Sequence, residues 1–384
     1  MTPRHALAAL ALAALAAAPA ARAADPAHDT PHGFKVLHAF TGADGTGSDA
    51  DLLLAPDGNL YGTAPSGGAH GLGTVWRLRP DGRFQVLHAF RGDAHDGAGP
   101  ASPLIVGPDG ALWGTTTGGG ANGLGTVYRL TAEGRVEVMW SFAQDDALGY
   151  APQGGLLLAS DGLLYGTTYV GGATWGGAAF SLRPGEAPTW IADLDGANAS
   201  LVEDAAGHLF GSTNGGADVG TLFELTKTGA LTVLHWFDGE YDGMYPHGVV
   251  LDKHGGVLAT TSNGGSGGCG TVWRDADDAP SGDVVAFYRG SGCAPFSTLL
   301  RLRGGSFVGT TAYDGPDGAP GTVFAFGAGE GVRNIHVFAG APDPGGSEPH
   351  SGVIQGADGA LYGTTTAGGA FGYGTVYRLE HVAR

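Results

Sequence analysis

Apolar and polar residues alternate over short stretches along the whole chain, and the alternation keeps restarting from the same few residues. Leu60-Tyr61-Gly62-Thr63 returns as Leu112-Trp113-Gly114-Thr115, Leu164-Tyr165-Gly166-Thr167, Leu209-Phe210-Gly211-Ser212, Val257-Leu258-Ala259-Thr260, Phe307-Val308-Gly309-Thr310 and Leu361-Tyr362-Gly363-Thr364, at spacings of 52, 52, 45, 48, 50 and 54. A second tract follows each, from Gly73-Thr74-Val75 to Gly374-Thr375-Val376, and a third, Val86-Leu87-His88-Ala89-Phe90 in its clearest form, also occurs seven times. A period of two marks half-buried strands. Within a unit it predicts four, for example Leu52 to Ala55, Asn59 to Thr63, Thr74 to Arg79 and Phe84 to Phe90. Pro56-Asp57-Gly58 and Pro80-Asp81-Gly82 join the outer pairs as tight turns, proline presetting one φ and glycine supplying a positive one. The two remaining joins are long and glycine-rich.

Four strands on a period near 50 have the size of a propeller blade. The fold class predicted is all-β: a seven-bladed β-propeller of four-stranded antiparallel blades. The first unit supplies only a fourth-strand tract, Phe34 to Phe40, and the last stops after its third, Gly374 to Leu379, so the N-terminal strand is expected to pair with the C-terminal blade and close the ring. Without closure the terminal sheet exposes an unpaired edge. An open β-solenoid, the main competitor, usually has shorter repeats and leaves the offset of the termini unexplained. Composition agrees: 73 glycines and 21 prolines in 384 residues break any long helix, while 42% apolar against 15% charged residues is enough for a core.

The run Leu-Tyr-Gly-Thr-Thr, Gly-Gly, Gly-x-Gly-Thr-Val-Tyr-Arg-Leu, at 361 to 379 and again at 112 to 130, resembles the GloVer tandem repeat of secreted bacterial proteins. The resemblance covers residues 34 to 384. It is specific in units one, two and seven and degraded in units five and six, where Leu258-Ala259 and Val308-Gly309 replace the aromatic-glycine pair. It implies an exported, propeller-like protein with no established reaction, in a family described with a choice of C-terminal anchors.

Residues 1 to 23, with Arg4, an alanine-leucine run and Ala21-Arg22-Ala23, have the layout of a signal peptide. A linker, 24 to 33, then leads into one propeller domain, 34 to 384. Removing the signal takes two arginines from 19 basic residues and none of the 37 acidic ones, leaving 17 against 37, a charge of −20. That balance argues against nucleic acid or an anionic lipid surface as partner. No later apolar run is long enough for a membrane span and no anchor is read at the C-terminus. The expectation is a secreted or periplasmic monomer.

Alternating strand direction puts the second-to-third and inter-blade loops on one face, with nearly all the sequence variety. His70, Asp93, His95, Asp96, Asp145, Asp146, Trp175, Asp238, Glu240, Tyr241, Asp242, Tyr245 and Glu348 lie there. Loops on a rigid scaffold concentrate binding groups, although acidic residues also simply solvate loops and shape turns. Trp175, Tyr241 and Tyr245 are the foremost ligand-binding candidates, aromatic faces for stacking, with Asp238, Glu240 and Asp242 as hydrogen-bond acceptors. Cys269 and Cys293 fall in adjacent loops of that face. An even cysteine count in an exported chain predicts a disulfide between them, a stabilisation of roughly 3 kcal/mol in the chain-entropy picture. With no Cys-x-x-Cys pair or suitable histidine spacing, zinc is a poor reading.

Aligning the units puts the triplets at 49 to 51, 101 to 103, 153 to 155, 198 to 200, 246 to 248, 296 to 298 and 350 to 352 just before each innermost strand, around the mouth of the central channel. Asp49, Asp51, His247 and His350 are channel-mouth candidates whose ligand types suit a cation. They come from separated blades without a local motif, so a polar, wet mouth is the simpler reading and no metal is assigned. The aromatic column from Tyr61 to Tyr362 reads as packing between blades. No nucleophile elbow, His-Glu-x-x-His, P-loop or dinucleotide fingerprint is present, and no cofactor is expected. The function read from the sequence is a non-catalytic module binding an extracellular glycan or protein through the long-loop face. The alternative is a polysaccharide hydrolase or lyase using acidic and histidine residues there.

Overall fold

The computed structural model describes residues 33–131, 134–144, 147–215, 219–275, 282–327, 331–340 and 343–380. The signal-peptide reading, nearly all of the linker, Asp145 and Asp146 lie outside the described residues. Seven four-stranded antiparallel sheets form the blades of a propeller. In blade 1 the strands are Leu53–Leu54, Leu60–Ala64, Thr74–Leu78 and Phe84–Ala89, and blades 2 to 6 repeat this order. Blade 7 takes Ile354–Gln355, Leu361–Thr365 and Thr375–Leu379 from the C-terminal end and its outer strand, Phe34–Ala39, from the N-terminal end. The closing pair runs antiparallel from Phe34 opposite Leu379 to Ala39 opposite Thr375. The innermost strand of blade 1 is shorter than the four residues the pattern suggests, pairing only at Leu53 and Leu54, whereas that of blade 5 runs from Met244 to Leu251.

Each residue of the Leu-Tyr-Gly-Thr tract has its own task. Successive side chains of a strand point to opposite faces, so Leu60 joins the core between blades 7 and 1 while Tyr61 joins the core between blades 1 and 2. The second strand is therefore buried on both sides. Seven such cores, one per junction, hold the ring. The glycine is required by close approach: a Cβ on Gly62 would sit 2.3 Å from the Trp76 ring and one on Gly363 2.5 Å from the Tyr377 hydroxyl, since the third-strand aromatic lies across it. Third and fourth strands are offset by a bulge at the same place in all seven blades, a device that interrupts pairing at an exposed edge.

On the face of the short turns the aromatic column is locked as well as packed. The Tyr61, Tyr165 and Tyr362 hydroxyls donate to Asp57, Asp161 and Asp358 at 2.7, 2.8 and 2.9 Å, and the Trp113 indole N–H to Asp109 at 3.0 Å. Arg129 and Arg378 add a cation to Asp109 and Asp358, and Lys227 one to Asp161. In blade 5 Arg274 holds Asp252 at 2.5 and 2.8 Å.

Candidate functional site

The threonine of the repeat builds the channel mouth. Thr63 donates to the Ser102 carbonyl at 3.2 Å, Thr115 to Gly154 at 3.3 Å, Thr260 to Ser297 at 3.0 Å, Thr310 to Ser351 at 2.8 Å and Thr364 to Ser48 at 3.0 Å, with Ser212 reaching Pro246 at 3.3 Å. Every acceptor lies on the next blade, in the segment just before its innermost strand or, for Pro246, inside that strand, Met244–Leu251. These bonds fix the backbone that carries Asp49, Asp51, Gln153, His247, Phe296 and His350 around the axis. They surround a cavity of about 380 Å³ to which all seven blades contribute, opening on the long-loop side.

One side of this mouth, from blades 6, 7 and 1, is acidic and aromatic. His350 lies with Nδ1 3.1 Å from an Asp49 carboxylate oxygen and Nε2 3.1 Å from the Tyr313 hydroxyl, a continuous carboxylate-imidazole-phenol chain. Phe296 is half-buried between His247 and His350, its ring centroid 5.0 and 4.9 Å from theirs. Asp51 is set deeper and accepts from the Gly352 N–H at 2.6 Å and from the Thr298 hydroxyl; burial outweighs both and raises its carboxyl above the usual range. Burial, then the Glu348 and Asp49 charges, likewise raise the Tyr313 phenol. The other side is neutral. Asn198 Nδ2 donates to His247 Nδ1 at 3.2 Å, leaving Asn198 Oδ1 and His247 Nε2 buried without a partner. Burial and the nearby His350 push His247 down to about 4, so it is uncharged at neutral pH. The sequence placed Asp49, Asp51, His247 and His350 together at this mouth, and all four line it. Among the described residues no group of three or more His, Cys, Asp or Glu side chains is gathered to hold a metal ion.

The outer candidates are arranged differently. Trp175 is 66% exposed and Tyr241 65%, with Tyr245 also open to solvent. Trp175 has φ +67°, at the position where blades 1, 2, 5 and 7 carry Gly71, Gly123, Gly268 and Gly372 with φ between +71° and +82°. Tyr245 also has a positive φ, shared by Gly99, Ala151, Ala294 and Glu348 at equivalent blade junctions, where each N–H reaches the preceding blade's loop. Asp238 and Asp242 hold their loop in shape. Asp238 accepts from the N–H groups of Glu240 and Tyr241, both at 2.9 Å, and Asp242 bonds the Asp238 N–H and His235. His38 with Asp44 and His88 with Asp96 repeat the histidine-aspartate brace in other blades. Glu240 is exposed and takes no part in it. Tyr313 was missed by sequence reasoning; its signal is an aromatic residue where other units carry the small Ser66, Gly118 and Ala367.

Cys269 and Cys293 form a disulfide, with Cα atoms 4.5 Å apart. It adds a covalent link at a junction where the other blades have a backbone hydrogen bond, here Ala294 N–H to the Cys269 carbonyl at 3.0 Å. Among the described residues no helix is long and apolar enough to cross a membrane.

The same architecture occurs in solved structures of low sequence identity. The extracellular domain of a protein assigned as a hybrid two-component system of B. thetaiotaomicron superposes with a TM-score of 0.61 at 10% identity, over 91% of this chain and 40% of that one. The periplasmic gluconolactonase of Pseudomonas aeruginosa gives 0.51 at 17% identity, over 75% of this chain and 85% of that one. At these identities the likeness is one of fold. No curated protein matches the sequence. The profile described as the Gloeobacter/Verrucomicrobia repeat matches residues 27–204 and again 196–383, spanning every blade of the ring, and the chain therefore belongs to the Gloeobacter/Verrucomicrobia repeat family.

Proposed function

We propose that this protein is an exported binding module that takes a residue of an extracellular glycan into the mouth of its central channel, with the aromatic residues of the surrounding loops as outer contacts. One observation carries the reading. The mouth is the place where the seven units stop repeating one another and bring an aromatic ring, carboxylates, amides and imidazoles around a cavity of about 380 Å³. A sugar ring needs that combination, an apolar face to stack on and polar groups for its hydroxyls. Export is supported by the signal-like leader and by the disulfide, which persists in oxidising compartments. A periplasmic and an extracellular protein also share the architecture.

A hydrolase acting on the same ligand is the second reading, favoured by the Asp49-His350-Tyr313 chain, in which the carboxylate orients an imidazole against a phenol as in general acid-base sites. A uronate lyase fits less well, because the cavity lining contains no lysine or arginine to neutralise a uronate carboxylate. A glycan array followed by a turnover assay on each hit separates the readings. Saturable binding without product, weakened by Phe296→Ala, supports the module. Product release abolished by His350→Ala supports the enzyme. No binding to any glycan, with Phe296→Ala indistinguishable from the parent, overturns both.

A further inference from the structure

Elsewhere in the molecule most carboxylates in recurring positions have partners of opposite charge, Asp57 with its Tyr61 and Asn59 donors being an exception. Asp109, Asp252 and Asp358 each face an arginine, Asp161 a lysine, and Asp44, Asp96 and Asp242 a histidine. Asp51 departs from this pattern. It accepts from the Gly352 N–H and the Thr298 hydroxyl, both uncharged. The lining of the cavity around it includes two carboxylates and no lysine or arginine, and His350 is already engaged with Asp49. His247 is uncharged, so it supplies no counter-charge either.

A carboxylate withdrawn from water without a cation is costly, and the cost is relieved when a cation arrives with the ligand. Phe296, half-buried in the same lining, supplies an aromatic ring of the kind that attracts a cation. Farther round the same lining, Asn198 and His247 carry the buried, unpartnered Oδ1 and Nε2, polar groups of the kind that suit the neutral hydroxyls of the ligand's other end.

Resting on the glycan-binding reading above, we infer that the mouth selects a sugar carrying a free primary ammonium group, an amino sugar with its nitrogen toward Asp51 and Asp49 and its hydroxyls toward Asn198 and His247. Neutral sugars lack the cation, N-acetylation removes it, and a uronic acid brings a second anion to an acidic wall.

The test uses the full exported chain and calorimetric titration at pH 7 and low salt with glucosamine, glucose, N-acetylglucosamine and glucuronate, and separately with calcium chloride. Glucosamine is expected to bind at least tenfold more tightly than the other three sugars. Asp51→Asn and the more exposed Asp49→Asn should each reduce that preference severalfold with unchanged circular dichroism and no loss of melting temperature. Equal binding of glucose and glucosamine, weakened alike by Phe296→Ala, overturns the ammonium assignment and leaves the glycan site standing. Asp51-dependent calcium binding without any sugar preference overturns it in favour of a metal ion. If no sugar binds and Phe296→Ala changes nothing, the glycan reading falls with it.

Discussion

On the short-turn face, Asp57, Asp109, Asp161 and Asp358 accept from the aromatic column at 2.7 to 3.0 Å, and the last three also meet an arginine or lysine. At the channel mouth on the opposite face, Asp51 has a backbone N–H and a threonine hydroxyl. Both sets are aspartates near tight backbone, and composition does not distinguish them. What distinguishes them is recurrence: the turn aspartates return with the repeat and carry matching partners, so they belong to the scaffold, while Asp51 stands alone at a position where the other blades carry Pro103, Ser200, Thr298 or a glycine. Cavity size is a poorer guide. A groove of about 580 Å³ between blades 1 and 2 on the short-turn face is larger than the mouth, yet Asp109 and Arg129 on its wall are paired with each other and Asp57 with Tyr61.

The largest effect expected belongs to the covalent brace of the long-loop face, the disulfide. Replacing Cys269 and Cys293 by serine should lower unfolding free energy by roughly 3 kcal/mol without altering ligand affinity, read by denaturant unfolding beside calorimetry. An affinity loss would mean that the long-loop face cannot be divided into a scaffold rim and a functional centre.

A matched pair of substitutions tests the contrast itself. Asp252→Asn removes the charge that holds Arg274 and should cost about 2 kcal/mol. Asp51→Asn removes a charge with no counter-charge, and stability should hold or rise, as is common where a site is tuned for ligand. A large loss in Asp51→Asn would show that Asp51 is scaffold too.

Acid sharpens the pair by giving the two faces opposite signs. Burial works against Asp252, but the His254 N–H, Arg274 and the Gly256 N–H more than offset it and hold its pKa below 3.8. Its stabilising contribution is therefore present above 3.8 and is lost as pH falls through the folded value. Asp51 is shifted upward by burial, so its contribution is present below 3.8 and is lost as pH rises through its raised folded value. Going from pH 7 towards pH 3, the penalty of Asp252→Asn should shrink, and any advantage of Asp51→Asn should shrink as well. An advantage that grows on acidification would reverse the assignment at Asp51.

Much of this was legible before any coordinates. Seven copies of three tracts fix strand number, direction and the offset of the termini, and alignment of the units alone brings Asp49, Asp51, His247 and His350 to one mouth. Side-chain partners were not legible. Nothing in the tract says that Thr63 reaches the backbone of the next blade, or that Asp238 and Asp242 turn inward to shape their own loop. Tyr313 stayed hidden because unit six is among the degraded copies, where an aromatic residue outside the repeat pattern reads as one more departure from it.

The smallest effect concerns Trp175, where the repeat supplies its own control. Four other blades place glycine at this position with the same left-handed backbone, and a Cβ there meets nothing within 4 Å. A bulky side chain in that conformation costs about 1 to 2 kcal/mol, partly offset by the greater freedom that glycine has in the unfolded chain. Trp175→Gly should therefore stabilise the fold by about 0.5 kcal/mol, seen as a small rise in melting temperature. If the indole is an outer anchor for glycan, the same substitution should weaken binding by about 1 kcal/mol or more. Opposite movement of the two measurements would identify a residue retained against its own backbone preference for the sake of a ligand. A rise in stability with unchanged affinity would confine binding to the channel mouth and leave the loop aromatics outside it.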